Sequence, residues 1–117
     1  MIRYHTQSAN ARNWSTDYGL SENEDDFRAQ IAYSPYHNTA EGACYPPTLI
    51  TTADHDDRVA PWHSFKYAAA LQHAQGCDSP ILLRTETRAG HSAGKPTWMR
   101  IDEAADVWAF LAWALDM

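Results

Sequence analysis

The segment "PPTLITTADHDDRVAP", residues 46 to 61, decides the fold because it joins a strand, a polar loop and the start of a helix. Its apolar and β-branched run predicts a buried strand over about residues 48 to 52. The acidic "DHDDRV" follows where that strand ends. Pro61 suits the first turn of a helix, and we expect this helix to run toward Gly76, a residue type common just beyond helix C-termini.

The same order of elements recurs downstream. "PILLRTET", residues 80 to 87, predicts a second strand, and "RAGHSAGKPT" is the loop that follows it. A helix is then predicted to the end of the chain, with its acids opposite an apolar face. That face comprises Ile101, Ala104, Ala105, Trp108, Leu111, Ala112 and Leu115, and the acids are Asp102, Glu103 and Asp106. This β-α-β-α alternation predicts an α/β fold with parallel strands and right-handed crossovers.

Two features of this arrangement bear on function. Both polar loops follow the carboxyl ends of strands, which is where ligands bind in open α/β sheets. Parallel sheets of only two strands are uncommon, so we expect further strands to come from elsewhere.

The chain divides into two parts of one partial domain. Residues 46 to 117 carry the regular βαβα pattern, whereas residues 1 to 45 are rich in turn formers. Within the first part, "EDDFRAQIAY" predicts one short helix with Asp25 or Asp26 near its N-terminus.

Composition narrows the classes of function. The 117 residues suit one modest domain, and 44% of them are hydrophobic, enough for a core. The net charge is −6 and the nine Lys and Arg are scattered, so no nucleic-acid surface is expected. No apolar run suggests a signal peptide, a membrane anchor or a membrane span. Cys44 and Cys77 form no motif, and we expect both thiols to stay reduced in the cytosol, with a single disulfide as the open alternative.

"GHSAG", residues 90 to 94, reads as G-x-S-x-G, the nucleophile elbow of serine hydrolases. An elbow serine sits on a sharp strand-to-helix turn, and its acid and histidine follow it in the chain. Several loop residues separate the second predicted strand from Ser92, and no histidine lies downstream of it. We therefore interpret Ser92 as a small residue in a glycine-rich loop.

His91 is the stronger candidate in this loop. If the two strands are adjacent, the "DHDDRV" loop faces it across the same end of the sheet. A carboxylate there could accept a hydrogen bond from the imidazole Nδ1–H and leave Nε2 toward a nucleophile. The alternative is a solvated loop histidine.

The acidic loop also raises the possibility of a cation site. Its start resembles a calcium loop, but Val59 stands where that loop needs glycine and Phe65 where it needs glutamate. A zinc site from His55 and His63 lacks recognisable spacing. Solvated acids are the simpler interpretation, and we expect neither a metal nor a cofactor.

Two longer segments resemble a known family. "YPPTLITTADHDDRVAPWHSFKYAAALQ" and "TRAGHSAGKPT" closely resemble the C-terminal end of the prolyl oligopeptidase (prolyl endopeptidase) family. The upstream "RYHTQSANARNWSTDYG" and "YSPYHN" resemble the same family in the same order. The resemblance implies a cytoplasmic serine peptidase, with periplasmic members also known, that has an α/β-hydrolase catalytic domain capped by a β-propeller. Such enzymes cleave short peptides after proline.

Carried over by motif, the resemblance implies that Asp56 is the triad acid and His91 the triad base. In the family, the nucleophile elbow, the oxyanion-hole residues and the propeller precede this segment. The resemblance therefore implies a chain that lacks the nucleophilic serine and is nearly inactive alone. Its expected partners are the missing part of the catalytic domain or a second copy of itself.

The resemblance also implies a proline-binding pocket within this chain. Trp14 corresponds to the aromatic floor on which the substrate proline stacks, and Tyr18 lines the same pocket. Arg58 corresponds to the residue that binds a peptide carbonyl, and Val59 belongs to the pocket wall. These roles make physical sense, because proline offers no N–H and must be recognised by shape and apolar contact. The expected ligands are short proline-containing peptides. The alternative to a peptidase fragment is a module that binds such peptides without turnover, or an inert fragment that needs a partner chain.

Overall fold

A computed structural model describes residues 2–7, 11–91 and 94–117, and it confirms the α/β fold. The elements in chain order are α1 (Tyr4–Gln7), α2 (Ser15–Tyr18), α3 (Glu24–Tyr33), β1 (Thr48–Ala53), α4 (Trp62–Ala74), β2 (Ile81–Glu86) and α5 (Thr97–Ala114), with 3-10 turns at Ala11–Trp14 and Pro35–His37. Strands β1 and β2 are parallel, as predicted from the alternation of elements. They pair from Thr48 with Ile81 to Ala53 with Glu86.

The two strands are less buried than their composition predicts. Ala53 and Ile81 are buried, but Thr51 is exposed and Leu82 keeps 45% of its surface accessible. Helix α4 packs against both strands. Among the described residues the sheet has only these two strands, so each strand also has an edge without a neighbour. The prediction of a buried strand over residues 48 to 52 was therefore wrong, because these residues are half-buried or exposed.

The N-terminal part contains more helix than predicted. Helix α3 has the predicted bounds, but α1, α2 and two 3-10 turns accompany it. Asp25 and Asp26 lie near its N-terminus, as predicted, and Asn23 before them is the N-cap residue. The side chain of Asn23 accepts hydrogen bonds from the N–H groups of Asp25 and Asp26 at 2.9 and 3.2 Å. The acids stand in the first turn, where they interact favourably with the helix dipole.

Gly76 does not end α4 in the predicted way. The helix ends at Ala74, and Gln75 is already extended, with φ −59° and ψ 121°. A Cβ at position 76 would overlap the carbonyl group of Gly42. Close approach of two backbones, rather than a left-handed helix cap, therefore requires glycine here.

Cys44 and Cys77 form a disulfide, so the expectation of two reduced thiols was wrong. Ala43 and Gln75 pair as an isolated parallel bridge, and the Gly76 N–H donates to the Ala43 carbonyl at 2.8 Å. This pairing places the two following segments side by side and brings the cysteine Cα atoms to 5.1 Å. Two segments far apart in sequence create the contact, which is why spacing alone did not predict it.

Helix α5 is rotated relative to the prediction, so that most of its predicted apolar face is exposed. Met99 is its buried residue. Asp106 accepts from Arg84 of β2 at 2.7 Å while its side chain stays 61% exposed, and Glu103 accepts from Lys95 at 2.8 Å. Because α5 is apolar around much of its circumference, its periodicity does not select one face. The predicted core positions that are exposed are Ile101, Ala104, Ala105, Trp108 and Leu115.

Helix α5 does not have the character of a membrane span. In the parts of the chain that the structure describes, no helix is both long and apolar enough to cross a bilayer.

Replacement of Cys44 and Cys77 by alanine is expected to lower the free energy of unfolding by about 3 to 4 kcal/mol, because a cross-link between residues 33 positions apart restricts the unfolded chain. Urea denaturation of the double variant and of the oxidised wild type measures this difference. Reductant should lower the midpoint of the wild type and leave that of the variant unchanged. Equal midpoints for the oxidised wild type and the variant would contradict the disulfide.

Candidate active site

The loops after β1 and β2 remain connected beyond the ends of the strands. The last strand pair joins Ala53 to Glu86. The Asp54 N–H then donates to the Glu86 carbonyl at 3.0 Å, and the His55 N–H donates to the Ala89 carbonyl at 3.1 Å. These two bonds hold the loops together at the carboxyl end of the sheet, where the sequence predicts a site.

Asp56 and His91 meet between these loops. His91 Nδ1 lies 2.8 Å from Asp56 Oδ2, and the side chains are 37% and 9% exposed respectively. The other carboxylate oxygen, Oδ1, accepts the N–H groups of Arg58 at 3.0 Å and Val59 at 2.8 Å. An ionised carboxylate can only accept hydrogen bonds, so Nδ1 of His91 must carry the hydrogen and Nε2 is left as the basic nitrogen.

The charge of Asp56 is set by its surroundings. Burial raises its pKa, but the Val59 N–H, the His91 ring and the Arg58 N–H outweigh burial, and the pKa lies below the ordinary value of 3.8. Asp56 is therefore an anion at neutral pH. An anion hydrogen-bonded to an imidazole can both orient the ring and stabilise its protonated form.

The four residues predicted to bind substrate line one cavity of about 590 Å³. Trp14 and Tyr18 contribute from the N-terminal part, and Arg58 and Val59 contribute from the loop after β1. The cavity is rich in further aromatic side chains that sequence reasoning did not assign to a site. They are Tyr4, Tyr33, Tyr36, His63 and Tyr67. Because they belong to four separate segments, their periodicity within each segment did not distinguish them from ordinary core residues.

One wall of the cavity is held by hydrogen bonds around Tyr18. The Tyr4 hydroxyl donates to the Gly19 carbonyl at 2.8 Å, and the Tyr4 ring meets Tyr18 edge-on with centroids 5.7 Å apart. The fully buried side chain of Gln30 donates to the carbonyls of Tyr18 and Gly19, both at 3.0 Å. Burial raises the pKa of Tyr4, so its hydroxyl is neutral and can donate.

The turn after Tyr18 requires glycine. Gly19 has φ 74° and ψ −179°, a backbone region used essentially by glycine alone. The carboxylate of Asp26, which accepts the Leu20 N–H at 2.9 Å, occupies the place where a Cβ would stand. Gly19 therefore allows α3 to approach the turn closely enough for Gln30 to hold Tyr18.

Ser92, the residue of the G-x-S-x-G pattern, lies outside the described residues. Strand β2 ends at Glu86, so several loop residues separate the strand from position 92, as predicted. This spacing differs from a sharp strand-to-serine turn.

The acidic loop makes contacts within the protein. Asp54 accepts from the ring of His55 at 2.7 Å, and Asp56 is engaged by His91. His63 stacks on Trp62 with ring centroids 3.9 Å apart. Within residues 2–7, 11–91 and 94–117, no three His, Cys, Asp or Glu side chains are grouped so that they could hold a metal ion.

A parallel βαβ unit with a hydrogen-bonded aspartate and histidine beyond its strand ends, beside an aromatic cavity, is typical of the α/β-hydrolase class. Comparison with protein families identifies one family within this class. A sequence model of the prolyl oligopeptidase family matches residues 1–117, and the chain belongs to that family.

The relatives that match are longer proteins. Prolyl endopeptidase of Elizabethkingia miricola is 48% identical over 111 residues, which cover 94% of this chain and 16% of the relative. Prolyl oligopeptidase A of Amanita bisporigera is 48% identical over 105 residues, which cover 89% of this chain and 14% of the relative. The chain thus spans about a sixth or less of the length of these relatives.

Solved structures show the same relation. A structure from a study of two prolyl endopeptidases superposes on this chain with a TM-score of 0.92 at 40% sequence identity. The superposed region covers 99% of this chain and 17% of the chain in that structure. Prolyl oligopeptidase B of Galerina marginata, bound to a 35mer hydrolysis and macrocyclization substrate, gives a TM-score of 0.88 at 35% identity. The superposed region covers 99% of this chain and 16% of the chain in that structure.

Substitution of Gly19 by alanine is expected to destabilise the protein more than substitution of Gly42. Both glycines have a positive φ, which costs an alanine about 1 to 3 kcal/mol, but only Gly19 faces a side chain. Displacing Asp26 should add roughly 1 to 3 kcal/mol to the cost of Gly19→Ala. Urea denaturation of both variants measures the difference. Equal destabilisation would show that the approach of Asp26 to Gly19 is not tight.

Substitution of Asp56 by asparagine is expected to flatten the pH dependence of stability. The pKa of Asp56 is lowered in the folded state. Its contribution to the free energy of unfolding is therefore present at pH values above the ordinary pKa of 3.8, and it is lost as the pH falls through the lower folded pKa. Asp56→Asn should cost about 1 to 2 kcal/mol at neutral pH, and the gap to wild type should narrow below pH 4. Urea midpoints between pH 6 and pH 2 test this, with Asp57→Asn, an exposed neighbour, as the control. A constant gap across this range would be incompatible with the ionised Asp56 described above.

Proposed function

We propose that this chain is the part of a proline-specific serine peptidase that supplies the acid, the base and the proline-binding pocket. Family membership supports a peptidase. The observation that carries the proposal is the hydrogen bond between Asp56 and His91 beside the cavity that contains Trp14 and Arg58. A base, the group that orients it and an apolar binding site are thereby assembled within one chain.

In the proposed reaction, His91 acts as general base and then as general acid. Nε2 takes the proton from a serine hydroxyl as the oxygen attacks the peptide carbonyl, and it later gives that proton to the leaving amine. Asp56 stays ionised throughout. It holds the ring through Nδ1 and stabilises the imidazolium that forms between the two proton transfers.

In the proposed binding mode, the substrate proline stacks on Trp14, with Tyr18 and Val59 closing the apolar surroundings. Arg58 donates to the peptide carbonyl next to the proline and keeps the scissile bond in register with His91. The volume of about 590 Å³ is in the range of pockets that take small ligands.

We propose that the nucleophile is a serine outside these 117 residues rather than Ser92. The loop spacing after β2 supports this, since an elbow serine follows its strand directly. Without that serine the chain alone would turn over substrate very slowly, because loss of the triad nucleophile in the serine protease subtilisin lowers kcat by a factor on the order of 10⁶. A chain carrying the remaining catalytic-domain residues would then be its functional partner.

The disulfide bears on the proposed compartment. Disulfides persist in oxidising compartments and are uncommon in the cytosol. The bond between Cys44 and Cys77 therefore favours the periplasmic alternative over the cytoplasmic location implied by the family as a whole.

Calorimetric titration of the chain with a short proline peptide, together with a chromogenic assay, tests the proposal. We expect binding without appreciable turnover, and roughly tenfold weaker binding in Trp14→Ala because the stacking surface is lost. Trp98→Ala is the matched control, since Trp98 is 56% exposed on α5 and does not line the cavity.

Three outcomes would count against the proposal. Equal affinity for a peptide with alanine in place of proline would show that the cavity does not select proline. Equal losses in the Trp14 and Trp98 variants would show that binding is not in this cavity. Turnover that disappears in Ser92→Ala would make Ser92 the nucleophile.

A further inference from the structure

The loop after β2 contains a backbone conformation that arginine rarely adopts. Arg88 has φ 62°, in the left-handed region that favours glycine. A residue other than glycine adopts this conformation only where its surroundings stabilise it. Arg88 lies three residues before His91, so its conformation helps to set where the imidazole is placed.

Asp54 stabilises this conformation across the two loops. Its Oδ1 atom accepts the Arg88 N–H at 2.7 Å, and the side chain is 31% exposed. The same oxygen accepts from the His55 ring at 2.7 Å. The backbone N–H of Asp54 donates to Glu86, so both the main chain and the side chain of this residue bind the loop after β2.

The contact extends from Arg88 toward His91. Ala89 is buried in a small core with Ala53 and Met99, and its carbonyl accepts the His55 N–H at 3.1 Å. The chain then reaches His91 two residues later. The Arg88 turn therefore leads directly into two fixed contacts, that of Ala89 with the core and that of His91 with Asp56.

We infer that Asp54 is a positioning residue, whose carboxylate holds the Arg88 turn and thereby places His91 against Asp56. Its importance for catalysis rests on the proposed function, whereas the placement itself does not. Asp54 acts through His91 and is not required to touch substrate.

The charge of Asp54 agrees with this role. The His55 ring lowers its pKa, burial opposes this, and the N–H of Arg88 lowers it further, so that the pKa lies below its ordinary value. At neutral pH the bond to Arg88 is therefore a charge-assisted one.

Four variants of the 117-residue chain test the inference. Asp54→Ala removes the acceptor, Asp54→Asn keeps an acceptor oxygen, and Arg88→Gly lets the turn form without help because glycine adopts positive φ freely. The fourth variant combines Asp54→Ala with Arg88→Gly. One readout is the hydrogen-exchange rate of the His55 amide, which reports the contact between the loops. The second is the pKa of the Asp56 carboxyl by NMR, which reports its contact with His91.

We expect Asp54→Ala to speed exchange at His55 roughly tenfold and to raise the Asp56 pKa toward its ordinary value. Asp54→Asn should change both readouts much less, and the double variant should restore both toward wild type. Arg88→Gly also removes the cost of the positive φ, so the single variant measures the stability that the glycine adds by itself. Asp54→Ala should change both readouts less in the Arg88→Gly background than in wild type, and this non-additivity identifies a positioning role.

Two results would contradict a positioning role for Asp54. Unchanged readouts in Asp54→Ala, or a double variant that stays like Asp54→Ala, would overturn the inference. If Asp54→Ala alone does not fold, the double variant must still fold with wild-type readouts, and its failure would also overturn the inference. These measurements need no peptide or turnover. A wild-type chain that does not bind proline peptides would therefore refute the proposed function and leave this test intact.

Discussion

The parallel pairing of β1 with β2 is the interaction on which the candidate active site depends, because it makes both strands end at the same level. Ala53 faces Glu86 at that level, and the loops beyond them contain Asp56 and His91. These two residues are 35 positions apart in the chain but share a hydrogen bond. A slip of one residue in the pairing would turn each side chain of the slipped strand to the opposite face and would separate the loops.

This sheet is secured differently at its two ends. At the amino ends of the strands, the Cys44–Cys77 disulfide joins the segment before β1 to the segment before β2. At the carboxyl ends, hydrogen bonds from Asp54 and His55 join the loops. The covalent link restricts the unfolded chain, whereas the hydrogen bonds select one conformation of the loops in the folded state.

The acid and the pocket are coupled through Asp56. One of its oxygens contacts His91, and the other accepts the N–H groups of Arg58 and Val59. One carboxylate therefore orders the backbone on which the two pocket residues stand and also orients the imidazole. The opposite wall has an independent support, in which Gln30 and Gly19 hold Tyr18. The cavity is thus supported on one side by the Asp56 loop and elsewhere by the contacts around Tyr18.

Patterns local in sequence were sufficient to predict the strands and helices α3 and α4, and they made His91 a candidate partner of the acidic loop, with a solvated histidine as the alternative. Periodicity and turn residues act over a few positions, and parallel alternation dictates that successive strand ends lie on the same side. The proposed roles of Trp14, Tyr18, Arg58 and Val59 rest on family resemblance, since a pocket aromatic and a core aromatic have the same local pattern.

Contacts between distant segments decided the rest. The disulfide depends on the bridge between Ala43 and Gln75, and the need for glycine at position 76 depends on the approach of Gly42. The exposed face of α5 was not predicted, because the helix itself is apolar on several sides and its periodicity selects none of them. The sequence by itself thus determined the order of elements and the residue types at each strand end. Only the tertiary structure decided which faces and side chains meet, because those contacts join residues with no regular spacing along the chain.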